Sequence, residues 1–363
     1  MRHTLLILTA VASIILAGCG GSSTQPVTYE EAEKFSKEID SSINYKNPKL
    51  FTSLIDLKEL GKRVQKNSVH KVSGAIEKGI GEGLEKTNMG AEIIKSVRDK
   101  GKYELVKHYE KDGAQHLIFR IYSQSGLNYH DYELVKRNGK VSIADFYIYT
   151  AGETFSSLLG NFLNLMEKPN AGEQDEDYKA MMQVQQVKQL MASNPEEAKR
   201  LYDGLPDKFR NQKMVRLLGV QLSSNLDNET YLAQLEDFEK TFPNEPNTHL
   251  IMLDAAILSK DYDKAISHID KIDELINKDP FLDFYRALMY NLKEDPAKAR
   301  EHFEALVKKY PDFETGQIEL LANYLEATDY DKARMVIDDY RKNPDFDKEL
   351  LSQVLAGYPG YKE

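Results

Sequence analysis

The sequence predicts an α+β N-terminal domain, with helices and a four-stranded antiparallel meander, followed by an all-α array of helical repeats. Two observations carry this prediction. After Gly101 the hydrophobic period switches to two, and short apolar runs are separated by turn residues. Further along, an alanine recurs at 34-residue intervals in a region without strand-like alternation. The acidic, turn-rich stretch at residues 167–178 is the expected linker between the two regions.

The composition allows a large core and argues against some classes of function. Hydrophobic residues make up 41% of the 363 residues and charged residues 29%, as is typical of a folded globular chain. The formal net charge is −10 with no evident basic face, so a nucleic-acid partner is not expected. A single cysteine cannot form an internal disulfide or a cysteine-rich metal site. We therefore expect no metal and no cofactor, and a fold held together by packing.

The amino terminus has the pattern of an export signal. A basic start precedes an apolar run at residues 5–16, which is shorter than the roughly 20 residues of a membrane-spanning helix. The string LAGC at residues 16–19 resembles the lipobox of bacterial lipoproteins. This resemblance implies a signal peptide at residues 1–18 and lipidation of Cys19 after cleavage. The alternative is an ordinary cleaved signal in which the cysteine has no role.

The resemblance also implies a location. In bacterial lipoproteins an aspartate after the acylated cysteine favours retention in the inner membrane, and this chain has Gly20 there. The expected location is therefore the cell envelope, lipid-anchored in the outer membrane and facing the periplasm. Residues 19–28, which are rich in glycine, serine and threonine, predict a flexible tether between the anchor and the folded chain.

Residues 29–166 predict the α+β domain. Helical spacing comes first, and the dipeptides Asp112-Gly113 and Asn138-Gly139 then predict tight hairpin turns. Apolar residues alternate with polar residues along the strands, which indicates a sheet with one buried face. A helix at residues 154–166 should follow the sheet. The predicted strands lie near residues 102–110, 114–122, 128–137 and 140–149.

Helices before a meander that ends in NGKVSIADFYIY resemble the nuclear transport factor 2-like superfamily, over residues 29–150. The resemblance implies a cone with an inner cavity, where enzymes of the superfamily place an acid or a His-Asp pair. His130 and Asp131 are adjacent on a strand, so they should point to opposite faces. No catalytic motif is specific enough to name, so we predict that the protein is not an enzyme. Small-molecule binding or catalysis in this cavity is the alternative function, with candidates His108, His116, His130, Asp131, Tyr132 and Asp145.

The region 179–363 carries the 34-residue repeat. Ala265, Ala299 and Ala333 are each followed, four residues later, by a large apolar residue. A small residue, a large one four positions on and a proline at the end of the unit resemble the tetratricopeptide repeat. The resemblance implies stacked helix pairs and a C-terminal cap, since one unit cannot bury its apolar face alone. The expected units are residues 179–211, 212–245, 246–279, 280–313 and 314–347.

In tetratricopeptide arrays the second, fifth, ninth and twelfth residues of each unit face a concave groove, which suits a helix or an extended peptide. The sequence therefore predicts a membrane-anchored scaffold that contacts a protein or peptide through this groove and the bilayer through Cys19. Self-association of the array is a third hypothesis. The aromatic candidates and Leu288 could instead pack between repeats or against the C-terminal segment. The candidate groove residues are Arg216, Leu250, Asp254, Phe281, Phe284, Leu288 and Ile318.

Overall fold

The computed structural model describes residues 24–68, 78–79, 81–83, 89–97, 101–123, 126–166, 174–243 and 245–362. The predicted signal peptide, the lipobox-like string with Cys19 and the first part of the predicted tether lie outside the described residues. Within the stretch expected to be a tether, Thr24–Gln25 forms a short strand, β1, and Val27 is buried.

An antiparallel sheet forms the centre of the N-terminal domain. Its strand order is β2-β3-β4-β5-β6, and β1 pairs with β4 beyond the end of β3. The four long strands form a meander, because each pairs with the next strand along the chain. The strands are β1 (Thr24–Gln25), β2 (Lys102–Lys111), β3 (Ala114–Ser123), β4 (Gly126–Arg137), β5 (Lys140–Ile148) and β6 (Glu153–Thr154).

Two hairpin turns follow directly from the sequence. Asp112 and Gly113 have φ angles of +51° and +78°, and Asn138 and Gly139 have +51° and +79°. Positive φ at both central residues is the geometry of the type I′ turn, which matches the twist of the flanking strands. The turns therefore fix the pairing of β2 with β3 and of β4 with β5.

Helices pack on one face of the sheet, which we call the inner face. Helix α1 begins with a capping box, in which the side chains of Thr28 and Glu31 each accept a hydrogen bond from the other residue's backbone N–H. Apolar side chains of these helices form one core with Phe119, Tyr132 and other inner-face residues. The described helices here are α1 (Tyr29–Asn44), α2 (Pro48–Ser53), α3 (Leu57–Asn67), α4 (Met89–Val97) and α5 (Phe155–Met166).

The expectation of one buried sheet face is wrong for the centre of the sheet. On β3, Leu117 and Phe119 face the inner core, but Ile118 and Arg120, which point the other way, are also buried. Ile118 belongs to a second apolar cluster that includes residues of the helical repeats. The outer face of the sheet is therefore covered by the repeat array.

The helical repeats form five consecutive helix pairs, which confirms the predicted helical array. Helix α6 begins at Gln174, inside the stretch expected to be linker. A short helix, α8 (Asp207–Arg210), follows the first pair, and α17 (Lys348–Ala356) follows the last. The pairs are α6 (Gln174–Leu190) with α7 (Pro195–Asp203), α9 (Lys213–Ser223) with α10 (Asn228–Thr241), α11 (Pro246–Leu258) with α12 (Tyr262–Leu275), α13 (Leu282–Leu292) with α14 (Pro296–Lys309), and α15 (Glu314–Glu326) with α16 (Tyr330–Tyr340).

An aspartate starts the second helix of the last four pairs. Its carboxylate accepts a hydrogen bond from the backbone N–H three residues later, which satisfies one of the free donors at the helix start. In three pairs the residue before it has a φ between +56° and +58°, which makes the turn tight. These aspartates recur every 34 residues, as Asp227, Asp261, Asp295 and Asp329.

Small residues let the two helices of a pair approach. Ala265, Ala299 and Ala333 are fully buried, as the repeat pattern predicts. At Gly219 an added Cβ would lie 2.4 Å from the hydroxyl of Tyr202 in the preceding pair. Among the described residues, no helix combines the length and the apolar character needed to span a bilayer.

Candidate functional site

The predicted groove residues lie on the first helices of the pairs, and the structure divides them into a covered and an open set. Phe281 and Phe284 are only 3% and 5% exposed. Leu250, Leu288 and Ile318 are half-buried, and Asp254 is exposed. We call the surface formed by the second, fifth and ninth residues of each unit the first-helix face.

The outer face of the sheet covers the aromatic part of the first-helix face. The ring of Tyr122 on β3 lies 4.8 Å from that of Phe281 and 6.0 Å from that of Phe284. Phe313, the last residue of the same unit, completes the cluster at 5.5 Å from Tyr122. Neither the groove hypothesis nor packing between repeats anticipated this contact, in which the chain's own sheet occupies the surface.

A buried ion pair fixes this contact. Nη1 of Arg120 lies 2.6 and 2.8 Å from the two carboxylate oxygens of Asp279, and the two side chains are 2% and 1% exposed. The hydroxyl of Tyr129 and the backbone N–H of Phe281 each donate to Asp279 as well, both at 3.0 Å. The guanidinium also lies 4.1 Å from the ring centroid of Phe281. A buried charge without a partner is strongly unfavourable. A docked arrangement that pairs Arg120 with Asp279 is therefore favoured over one that buries either charge without the other.

The sheet domain also contacts two other repeat units, through the turn after β5. Nζ of Lys213 donates to the carbonyl of Gly152 at 2.9 Å. Gly152 has a φ of +68°, and an added Cβ there would lie 2.4 Å from Oδ1 of Asn247. Lys213, Asn247 and Phe281 are second residues of three consecutive units, 34 residues apart. The sheet therefore contacts the same repeat position in three neighbouring units.

An open surface that includes Asp254 and Leu288 of the first-helix face lies beside the docked sheet. Asp254 is exposed on one side, and the protein around the rest of its side chain raises the pKa of its carboxyl. Tyr231 donates a hydrogen bond to it at 3.1 Å. Burial raises the pKa of Tyr285, and the groups of Tyr122 and Asp254 add to the rise. We call Tyr231, Asp254, Tyr285 and Leu288 the open strip.

Arg216 lies outside the open strip, and its side chain is held by neighbouring residues of the array. Its guanidinium forms an ion pair with Asp237 on α10 and donates to Asn211 at 2.8 Å. Ile318 lies in the unit after that of Phe281 and Phe284, and it packs against the aromatic cluster. Leu250 packs against the cluster that contains Ile118 and Tyr129 of the sheet. The structure therefore places three predicted groove residues against the sheet (Leu250, Phe281 and Phe284), two in the open strip (Asp254 and Leu288) and two nearer the ends of the array (Arg216 and Ile318).

The candidate residues His130 and Tyr132 on the inner face of the sheet are buried. Tyr103 is buried as well, and the hydroxyl of Tyr132 lies 3.2 Å from Nδ1 of His130. Burial lowers the pKa of His130 to about 4, so the ring is neutral at pH 7. Side chains fill the interior around these residues.

On the outer face, His116 and Asp131 meet across neighbouring strands. Nδ1 of His116 lies 3.0 Å from Asp131, and the hydroxyl of Tyr109 donates to the other carboxylate oxygen. The sequence-based argument considered Asp131 only with its neighbour His130 and missed this pair. The two hairpin turns fix the pairing of β2 with β3 and of β4 with β5, so they do not give the β3–β4 register, in which Asp131 pairs with Ile118 two residues from His116.

A pocket of about 630 Å³ opens beside His116 and Asp131, between the outer face and the loop after α12. Its walls come from β2 to β6, from the turn after β5 and from the repeat unit 246–279. No group of three or more metal-ligating side chains is present among the described residues. The lining residues are Lys107, Tyr109, Lys111, His116, Ile118, Asp131, Glu133, Asp145, Phe146, Tyr147, Tyr149, Thr154, Pro246, Leu275 and Asn277.

Fold and site together define a class: a protein of 34-residue helical repeats with an antiparallel-sheet domain docked on its first helices. No protein-family model matches the chain, and no curated protein matches it. The resemblance of the N-terminal domain to the nuclear transport factor 2-like superfamily stays a prediction.

Several solved structures are similar to part of the chain. MamA (AMB-1) has a TM-score of 0.38 and 13% identity over 49% of this chain and 98% of that chain. MamA (RS-1) has a TM-score of 0.38 and 14% identity over 50% and 98%. The human IFIT1 dimer with m7Gppp-AAAA has a TM-score of 0.29 and 20% identity over 50% of this chain and 44% of IFIT1. Because these scores are low, the assignment of the repeats depends on the helix pairs and their 34-residue spacing.

Proposed function

We propose that this protein is a lipid-anchored scaffold of the bacterial outer membrane that binds a polypeptide partner on its repeat array, on the periplasmic side. The lipobox-like string ending at Cys19 supports the anchor, and the open strip supports the binding. Acyl chains on one residue contribute about 0.8 kcal/mol for each buried methylene, so several chains give a firm anchor.

The open strip carries the proposal for the partner. Leu288 and Tyr285 supply apolar area, and Asp254 supplies an exposed carboxylate whose one hydrogen-bond partner among the described residues is Tyr231. An amphipathic helix or an extended peptide with an apolar side chain next to a lysine or arginine complements this surface. The docked sheet holds the strip in place, because it is tied to the same first helices.

Site-specific photocrosslinking in the native membrane tests the partner site. A photoreactive amino acid in place of Leu288 should give a discrete adduct with another polypeptide. The same amino acid in place of Met335, which is 67% exposed on the second helix α16, is the matched control and should not. Asp254→Lys should weaken the adduct at position 288 while the circular dichroism spectrum is unchanged. If position 288 gives no adduct, or if Asp254→Lys has no effect, the strip is not the binding surface.

Two further measurements separate the remaining hypotheses. Mass spectrometry of the membrane-extracted protein should show an acylated Cys19 as the first residue, and an unmodified thiol on the exported chain would contradict the anchor. Sedimentation of the mature chain without acyl groups should show a monomer. A dimer that Leu288→Glu dissociates would mean that the strip binds a second copy of this chain.

A further inference from the structure

The pocket on the outer face of the sheet has the size and the polar lining of a ligand site. Its volume of about 630 Å³ lies within the range of about 300–1,000 Å³ that is common for small-molecule sites. It contains none of the open-strip residues. We infer that this pocket binds a neutral saccharide. The inference concerns a second site and does not depend on peptide binding by the array.

Flat apolar surfaces form part of the walls. The rings of Tyr147 and Tyr149 lie 5.2 Å apart and nearly perpendicular, at 86°. Tyr109, Ile118 and Leu275 add further apolar area. A tyrosine ring offers an apolar face together with a polar edge. Such faces can stack on the C–H faces of a sugar ring, while the hydroxyls of the sugar stay within reach of polar groups.

Hydrogen-bonding groups surround these rings. Asp131 accepts from Tyr109 and pairs with Nδ1 of His116, which carries a proton in this pair. Within the described residues, neither the hydroxyl of Tyr147 nor the ammonium of Lys107 has a hydrogen-bond partner. The pocket therefore offers both donors and acceptors, as a ligand with several hydroxyl groups requires.

The charges in the pocket balance. Asp131, Glu133 and Asp145 line the pocket together with Lys107 and Lys111. Arg63, which is outside the lining, forms an ion pair with Glu133, so the three carboxylates are matched by three cationic side chains. An anionic ligand would meet carboxylates in the walls, and a cationic ligand would meet ammoniums. Neither sign of charge is favoured by its surroundings. A neutral molecule with hydroxyl groups and apolar faces fits both the charge balance and the walls.

Calorimetry with the full mature chain, produced without acyl groups, tests the inference. The probes are neutral hexasaccharides (cellohexaose, xylohexaose, maltohexaose and N-acetylchitohexaose), an oligogalacturonate of similar length and a chitosan hexamer. At least one neutral probe should bind at least tenfold more tightly than the acidic and the amine probes. Tighter binding of either charged probe would overturn the inference, and so would the absence of binding by all four neutral probes.

Substitutions then locate the binding. Tyr147→Ala should weaken binding of the preferred neutral probe at least tenfold, whereas Tyr147→Phe, which keeps the ring and loses the hydroxyl, should have a smaller effect. Tyr45→Ala is the matched control, because Tyr45 is 80% exposed after α1 and does not line the pocket. If Tyr147→Ala binds as the unaltered chain does, or if Tyr45→Ala weakens binding equally, the saccharide does not occupy this pocket.

Discussion

Removing the guanidinium of Arg120 should strongly destabilise the protein. The substitution Arg120→Met keeps most of the side-chain length and removes both short hydrogen bonds to Asp279. Asp279, which is 1% exposed, would keep the donors Tyr129 and the backbone of Phe281 but lose its counter-charge. Breaking a buried ion pair by removing one partner costs about 3–5 kcal/mol. We expect the free energy of unfolding to fall by about that amount.

Urea denaturation followed by far-ultraviolet circular dichroism measures this change from the transition midpoint and slope. The matched control is Arg334→Met, which breaks an exposed ion pair with Asp331 and should leave the midpoint unchanged. The double variant Arg120→Met/Asp279→Asn removes both charges, so it should lose less stability than the sum of the two single variants, by about 0.5–3 kcal/mol. A loss below about 1 kcal/mol for Arg120→Met, or strictly additive effects, would refute the reasoning.

Three other predictions test packing and protonation. Gly219→Ala should destabilise the protein, because the new methyl group meets Tyr202. The clash should outweigh the helix preference of alanine over glycine, which is about 1 kcal/mol. Thermal unfolding measures the change, and a higher melting temperature would contradict it. Burial lowers the pKa of His130 from 6.5 to about 4. The unfolded chain therefore takes up a proton at this residue before the folded chain does as the pH falls from 6.5 towards 4. The free energy of unfolding should fall by about 3 kcal/mol over that window. His130→Asn should flatten the stability profile over that window, and an unchanged slope would count against it. Asn247→Leu should raise the urea midpoint, because neither polar atom of the buried amide has a hydrogen-bond partner among the described residues. A lower midpoint would show that the amide forms hydrogen bonds in solution.

Local patterns in the sequence were sufficient for the elements themselves. The dipeptide Asn138-Gly139 predicts a type I′ turn, because both residues tolerate positive φ, and the turn sets the register of β4 and β5. The 34-residue recurrence predicts helix pairs, because a small residue such as Ala299 is needed wherever two helices approach closely. In both cases the signal is the type and the spacing of residues along the chain, so it does not depend on which distant elements pack together.

The position of the sheet on the array could not be predicted in this way. Arg120 and Asp279 are 159 residues apart, and no period connects them. In the repeat register, Asp279 corresponds to Glu245 and Phe313, so the position has no constant residue type. One indication was present on β3: Ile118 and Tyr122 lie on the face that was expected to meet solvent. An apolar outer face requires a cover, although the sequence does not say which element supplies it.

The docked sheet also limits how a partner can use the array. A ligand that needs Phe281 or Phe284 must first separate Tyr122 from them and expose the charges of Arg120 and Asp279. Such a ligand can shift the equilibrium only by the difference between its affinities for the open and the docked arrangements. Separation breaks the ion pair and the aromatic contacts, and each ~1.4 kcal/mol that it costs lowers the apparent affinity of such a ligand tenfold. A ligand of the open strip meets no such penalty, and for this reason the strip, rather than the aromatic cluster, is the surface where a polypeptide partner should bind.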